Sequence, residues 1–139
     1  MRISQQQARS WFARARAARL ASVDELGRPH LVPIVFAIRE DVIVTAVDHK
    51  PKRTTNLKRL RNIAANPQVA LLADHYEDDW SRLWWARADG DAELTGSAAH
   101  PDLVAALAEK YPQYRENPPT GTLIVIRVTR WSAWSGEQP

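Results

Sequence analysis

Between Asp48 and Asn62 the chain gathers cations and hydroxyls in a way that suits the holding of an anion. Lys50, Lys52, Arg53, Lys58, Arg59 and Arg61 fall within twelve residues that contain no acid. The segment follows an apolar run and leads into a helical pattern. Free backbone N–H groups and the helix dipole favour a phosphate at such a start, and lysine and arginine add charge-assisted bonds. A solvated basic helix face explains the charge equally well. The order strand, basic loop, helix favours the anion site.

The second chemical feature is aromatic. The chain has six tryptophans, three of them (Trp80, Trp84, Trp85) close together behind the acidic stretch Glu77-Asp78-Asp79. On a strand, Trp84 and Trp85 point to opposite faces, so one fills the core while the other meets a pocket or a partner. Trp131 and Trp134 are expected to close the barrel end or a subunit interface. His30, His49, His75 and His100 are scattered without metal-ligand spacing, so no metal is expected. The adjacent acids read as a solvated loop. No GxSxG, P-loop or GxGxxG occurs, and the five glycines cannot form a phosphate cradle.

The elements that must position these residues follow from local pattern. A helix is expected over 4–17, capped by Ser4 with Gln7 completing a capping box. Strands are expected over 19–24, 31–38 and 42–47, with turns at 25–29 and 39–41; Pro33 marks a bulge or an edge. A second helix covers 55–65, where Leu57, Leu60 and Ile63 share a face and Asn66-Pro67 stops it. Then come a strand over 69–73, a polar loop over 74–81 and a long strand over 83–95 bent near Gly90. A third helix runs 100–111, a loop covers 117–121, and the last strand spans 123–131 or a little more. Six strands joined mostly by short turns do not alternate with helices as a doubly wound sheet requires. The expectation is a mainly β, predominantly antiparallel barrel with peripheral helices, a single domain over residues 1–139.

Bulk properties exclude several classes. Cysteine is absent, which rules out disulfides, thiolate metal sites and cysteine nucleophiles. No apolar run approaches the roughly 20 residues of a membrane span, and the start lacks the apolar middle of a signal peptide, so a cytoplasmic, non-membrane protein is expected. A net charge of +3 is too small to indicate a nucleic-acid partner.

The stretches "ARLASVDELGRPHLVPIVFAI", "VIVTAV", "LKRLRNIAANPQVALLAD" and "WWARADGDAEL" occur in an order and spacing that resemble the pyridoxamine 5′-phosphate oxidase-like split-barrel superfamily. "HYEDDWSRLWWARADGDAEL" is similar to one subgroup of its actinobacterial branch of coenzyme F420-dependent proteins. The resemblance covers nearly the whole chain. It implies a six-stranded antiparallel split β-barrel of the FMN-binding type, a homodimer with cofactor sites in grooves between subunits. It also implies a basic pair at the start of the helix preceding Asn66-Pro67 that grips the cofactor phosphate; that pair falls on Lys58 and Arg59. Lys50, Lys52, Arg53 and Thr55 lie where they could reinforce or replace it. Pro33, Ile34, Val35, Thr45, Ala46 and Val47 match strand positions that face the cofactor ring. Trp84 and Trp85 stand where FMN-binding relatives carry polar groups, a departure that counts against ordinary FMN chemistry and leaves apolar surface for a ring.

F420 combines a flat deazaflavin head with a phosphodiester and a polyglutamate tail, which suits a basic loop beside an aromatic pocket. The expected activity is an oxidoreductase transferring a hydride between the deazaflavin and a small organic substrate, with the reaction carried by the cofactor. No catalytic residue is assigned. Tyr76 and His75 are candidates for proton delivery, although a surface loop pair is the more common outcome. The alternatives are an FMN-binding oxidoreductase of the same fold and a non-catalytic F420-binding or storage protein.

Overall fold

The computed structural model describes residues 3–47 and 55–137, with the side chains of residues 55–57 outside that description. In chain order the elements are α1 (Gln5–Arg14), β1 (Ala18–Val23), β2 (Pro29–Ile34), β3 (Ala37–Arg39), β4 (Val42–Ala46), α2 (Thr55–Ala65), β5 (Gln68–His75), β6 (Trp84–Gly96), α3 (Pro101–Lys110), α4 (Pro112–Glu116) and β7 (Thr122–Ser135). Single 3-10 turns occur at Trp80–Arg82 and Ser97–Ala99.

The strands form one antiparallel sheet in the order β2-β1-β5-β6-β7-β4-β3. Its two outermost strands, β2 and β3, are neighbours in sequence, separated only by Val35 and Phe36. Three Cα–Cα steps reach at most about 11 Å, so the edges must approach each other and the sheet must curl. Bending is concentrated in the long pair β6–β7, whose register shifts between Asp89 and Gly90. A bulge there raises the local twist, letting one half of the pair serve β5 and the other serve β4.

Inside the curl, α1 acts as a plug. The capping box forms as expected: Ser4 Oγ accepts the Gln7 N–H at 3.1 Å and Gln7 Oε1 accepts the Ser4 N–H at 3.3 Å. Ala8 and Phe12 are fully buried, and Phe12 meets Phe36 and Trp131 edge-on at centroid distances of 5.0 and 5.5 Å. Leu20, Ile34, Leu71, Ala86, Ala88, Ile124 and Ile126 complete this core. A smaller core lies outside the barrel wall, where Leu103, Ala106 and Leu107 of α3 cover Ala37, Val44 and Leu123.

The split antiparallel barrel is therefore the fold, with differences in detail. There are seven strands rather than six, because 31–38 divides at the crossing between edges into β2 and β3. Pro33 sits on an edge strand, where the missing N–H costs no ladder bond toward an outer neighbour. The loop expected over 74–81 is shorter, since Asp74 and His75 pair with Trp85 and Trp84. β7 continues to Ser135, and Pro112, which ends α3, also opens the short α4. Of the two expectations for Trp131, burial at 6% exposure against Phe12 suits closing the barrel and not a subunit interface. Among the described residues no helix is long and apolar enough to cross a membrane.

A Cβ at Gly90 would overlap the Arg127 carbonyl oxygen and stand 3.0 Å from Ile126 Cγ2. Gly90→Ala is expected to lower stability by about 1–3 kcal/mol in urea unfolding, with the far-ultraviolet circular dichroism of the remaining folded protein unchanged.

Candidate functional site

Where the chain crosses between edges, a cavity of about 630 Å³ opens, within the usual size range for small-molecule sites. Pro33, Ile34 and Val35 form one wall and Thr45 and Ala46 of β4 another. Arg59 enters from α2, and Tyr111, Gln113, Tyr114 and Asn117 close the side formed by α3 and α4.

The crossing residues have left the ladder, so their backbone groups need other partners. Both polar ends of the peptide unit joining Val35 and Phe36 find them. Thr45 Oγ1 donates to the Val35 carbonyl at 2.7 Å, and the Phe36 N–H donates to Tyr111 Oη at 3.1 Å. Tyr111 then donates to the Arg16 carbonyl at 3.0 Å, tying the cavity wall to the chain just after α1. Around this knot lie two cations. Lys110 Nζ sits 3.7 Å from the Phe36 ring centroid and donates to the Ala13 carbonyl at 3.3 Å. The Arg16 guanidinium lies 4.9 Å from the Tyr111 ring centroid and donates to the Lys110 carbonyl at 2.9 Å. Burial, with the like charge of Arg16 adding to it, lowers Lys110 to about 8, and burial pushes the Tyr111 phenol up.

On the opposite wall, α2 is fixed against β1 by a buried bond from Asn62 Nδ2 to Ser22 Oγ at 3.1 Å and by the burial of Ile63. Successive helical side chains diverge by about 100°, so Lys58 and Arg59 cannot share a target. Arg59 lines the cavity, and burial pulls its guanidinium below the ordinary arginine range. It stays charged, and a desolvated cation at a cavity wall favours an anion there. Lys58 faces away, 3.5 Å from the Asp24 carboxylate. Asp24 also accepts the Leu26 and Arg28 N–H groups at 2.9 Å each, and the Arg28 backbone bond leads the effects that hold its carboxyl down to about 2.

The structure thus brings together Pro33, Ile34, Val35, Thr45, Ala46 and Arg59. It separates Lys58, committed to the β1–β2 turn, and Val47, which packs toward the main core. Trp84 and Trp85 also lie elsewhere. Trp84 packs inward on Trp11 at 6.0 Å, and Trp85 faces outward beside Leu72, Tyr76 and Arg87. Lys50, Lys52 and Arg53 lie outside the described residues, as does the Thr55 side chain. His75 ends β5 and Tyr76 follows it, both away from the cavity, His75 being bonded to the Glu77 carboxylate. Tyr111, Gln113, Tyr114 and Asn117 were not expected at the site. Tyr111 reads in sequence as one more apolar contact of α3, and nothing local announces its hydroxyl bonds. In chemical terms the cavity offers one desolvated cation, a rim of hydroxyl and amide groups, and apolar walls, a match for a ligand with an anionic end and a flat body.

The profile of the pyridoxamine 5′-phosphate oxidase family matches residues 4–135. The chain belongs to this family. Solved structures share its split-barrel fold at low sequence identity. The conserved hypothetical protein Rv2991 of Mycobacterium tuberculosis matches with a TM-score of 0.74 at 19% identity, over 96% of this chain and 86% of that one. A FAD-binding protein of Mesorhizobium loti matches at 0.71 and 18%, over 96% and 95%. HutZ, the heme storage protein of Vibrio cholerae, matches at 0.70 and 17%, over 97% and 95%. A search among curated proteins finds no sequence match.

Tyr111→Phe would leave the Phe36 N–H without its partner, and an expected loss of about 1–3 kcal/mol is measurable by urea unfolding. Lys110 gives a pH signature. Its proton leaves the folded chain near 8 but the unfolded chain only near 10.5, so between these values the unfolded state binds more protons and folded stability rises with pH. The thermal midpoint of the wild type relative to Lys110→Met is therefore expected to climb from pH 8 to 10.

Proposed function

We propose that the chain is a coenzyme F420-dependent oxidoreductase that works as a homodimer on a small organic substrate. The observation that carries this reading is the half-buried Arg59 guanidinium in a cavity with largely apolar walls. Arg59 would hold the cofactor phosphate, and Pro33, Ile34, Val35 and Ala46 would line the ring. When bound, the deazaflavin supplies hydride transfer. The chain's own contribution is to bind, orient and exclude water, with Tyr111, Gln113, Tyr114 and Asn117 placed to meet substrate or cofactor oxygens. The further cations Lys50, Lys52 and Arg53 suit the several negative charges of a polyglutamate tail.

A dimer accounts for features a single chain leaves unexplained. The outward face of β1, β2, β5, β6 and β7 carries Leu31, Leu72, Trp85 and Trp134, with Leu31 at 66% exposure. Such a patch on a small domain suits a partner surface. Trp85, remote from the cavity of its own chain, would then reach a cofactor only across that interface. FMN is the second reading, favoured by the shared fold of the FAD-binding Mesorhizobium loti protein; a storage role without catalysis has HutZ as its parallel in fold.

The test is a tryptophan-fluorescence titration with F420 and, separately, FMN, on the wild type, Arg59→Gln and Lys58→Gln. Saturable quenching by F420 is expected, weakened about 10- to 100-fold in Arg59→Gln, as befits loss of a charged hydrogen bond, and little changed in Lys58→Gln. Preference for FMN transfers the protein to the second reading. If neither binds, the cofactor assignment fails.

A further inference from the structure

A second groove, of about 850 Å³, lies between α1 and the ends of β6 and β7 and shares no lining residue with the Arg59 cavity. Trp11 and Trp84 line it, their rings 6.0 Å apart at 64° to each other, forming an aromatic corner whose inner side rests on the main core. The opposing wall is Ser135, Gly136 and Glu137, at and just beyond the end of β7. Its position is fixed by the Gly136 N–H donating to the Leu83 carbonyl at 2.8 Å. Only glycine fits there, because a Cβ would overlap the Trp80 carbonyl oxygen. The corner and the wall are therefore held apart by packing and a backbone bond.

The charges of the lining are Arg14, Arg82 and Glu137, one net positive charge. Arg82 is engaged, with its Nε 3.3 Å from the Glu77 carboxylate. Arg14, in the last turn of α1, forms no ion pair among the described residues. One available guanidinium beside two indole rings is a complement for one carboxylate attached to a flat aromatic body. The Glu137 carboxylate on the same rim disfavours ligands with several negative charges. We propose that this groove is a second ligand site, which takes a planar aromatic monoacid with its ring in the Trp11–Trp84 corner and its carboxylate on Arg14.

The proposal is independent of the cofactor assignment and is tested with the full chain by isothermal titration calorimetry, using naphthoate and its neutral analogue naphthamide. Saturable one-to-one binding of naphthoate is expected. It should weaken at least about tenfold for naphthamide and for Arg14→Gln, and stay unchanged in Arg59→Gln. Arg14 is exposed, so its replacement leaves the fold intact; Gly136→Ala, which displaces the far wall, should weaken binding as well. Absence of saturable binding, equal affinity for the amide, or loss of binding in Arg59→Gln with Arg14→Gln unaffected would each overturn the proposal, the last by placing the acid in the first cavity.

Discussion

The peptide unit between Val35 and Phe36 lies outside every strand, and its two polar ends are held by hydroxyls from other elements, Thr45 on β4 and the sequence-distant Tyr111 at the end of α3. An unmade bond at a buried peptide costs about 1–3 kcal/mol, so each hydroxyl stabilises this unit where it sits. Much of the architecture depends on that position. It joins the two edges of the sheet, it turns Phe36 onto Phe12 beneath the α1 plug, and it leaves Val35 as a wall of the cavity. Barrel closure and site formation are in this sense one event.

The opposite wall is set by a different kind of contact. α2 is held by the Asn62–Ser22 bond and, at its exposed side, by Lys58 against the Asp24 carboxylate that organises the β1–β2 turn. With these two anchors the helix has little rotational freedom, and Arg59 is directed inward despite the cost of burying its charge. The knot around Tyr111 shows a comparable tension. Arg16 and Lys110 are both cationic and rest on aromatic rings and carbonyls instead of carboxylates. Ring quadrupoles and carbonyl dipoles offset part of the desolvation, and the lowered proton affinity of Lys110 is the part left uncompensated.

How far the sequence can be read depends on the range of the interaction concerned. The α1 cap, the α2 stop at Asn66-Pro67, the bend near Gly90 and the opposite facing of Trp84 and Trp85 are all local rules, and each is visible in a few residues. The division of 31–38 into two strands is not, because Leu31 to Ile38 is apolar throughout and rich in β-branched residues; only closure of the sheet interrupts it. Six of the ring- and phosphate-facing positions inferred from family resemblance do meet in one cavity. The resemblance could not divide Lys58 from Arg59, since their separation depends on where the helix is anchored. Nor could it supply α4, or Tyr111, whose role is defined by hydroxyl bonds spanning 75 and 95 positions of chain.

The crossing also bears on the free edges of the sheet. A sheet that ends in free strands invites another chain to add to the ladder, and proteins commonly guard against it. Here one outer strand, β2, contains Pro29 and Pro33, which lack the N–H that an incoming strand would need, and the other, β3, is only three residues long. Because two residues connect them, neither edge can swing away to become a longer template. Both edges are thus poor templates for strand addition, and what this chain leaves outward on its broad faces is side chains rather than backbone groups.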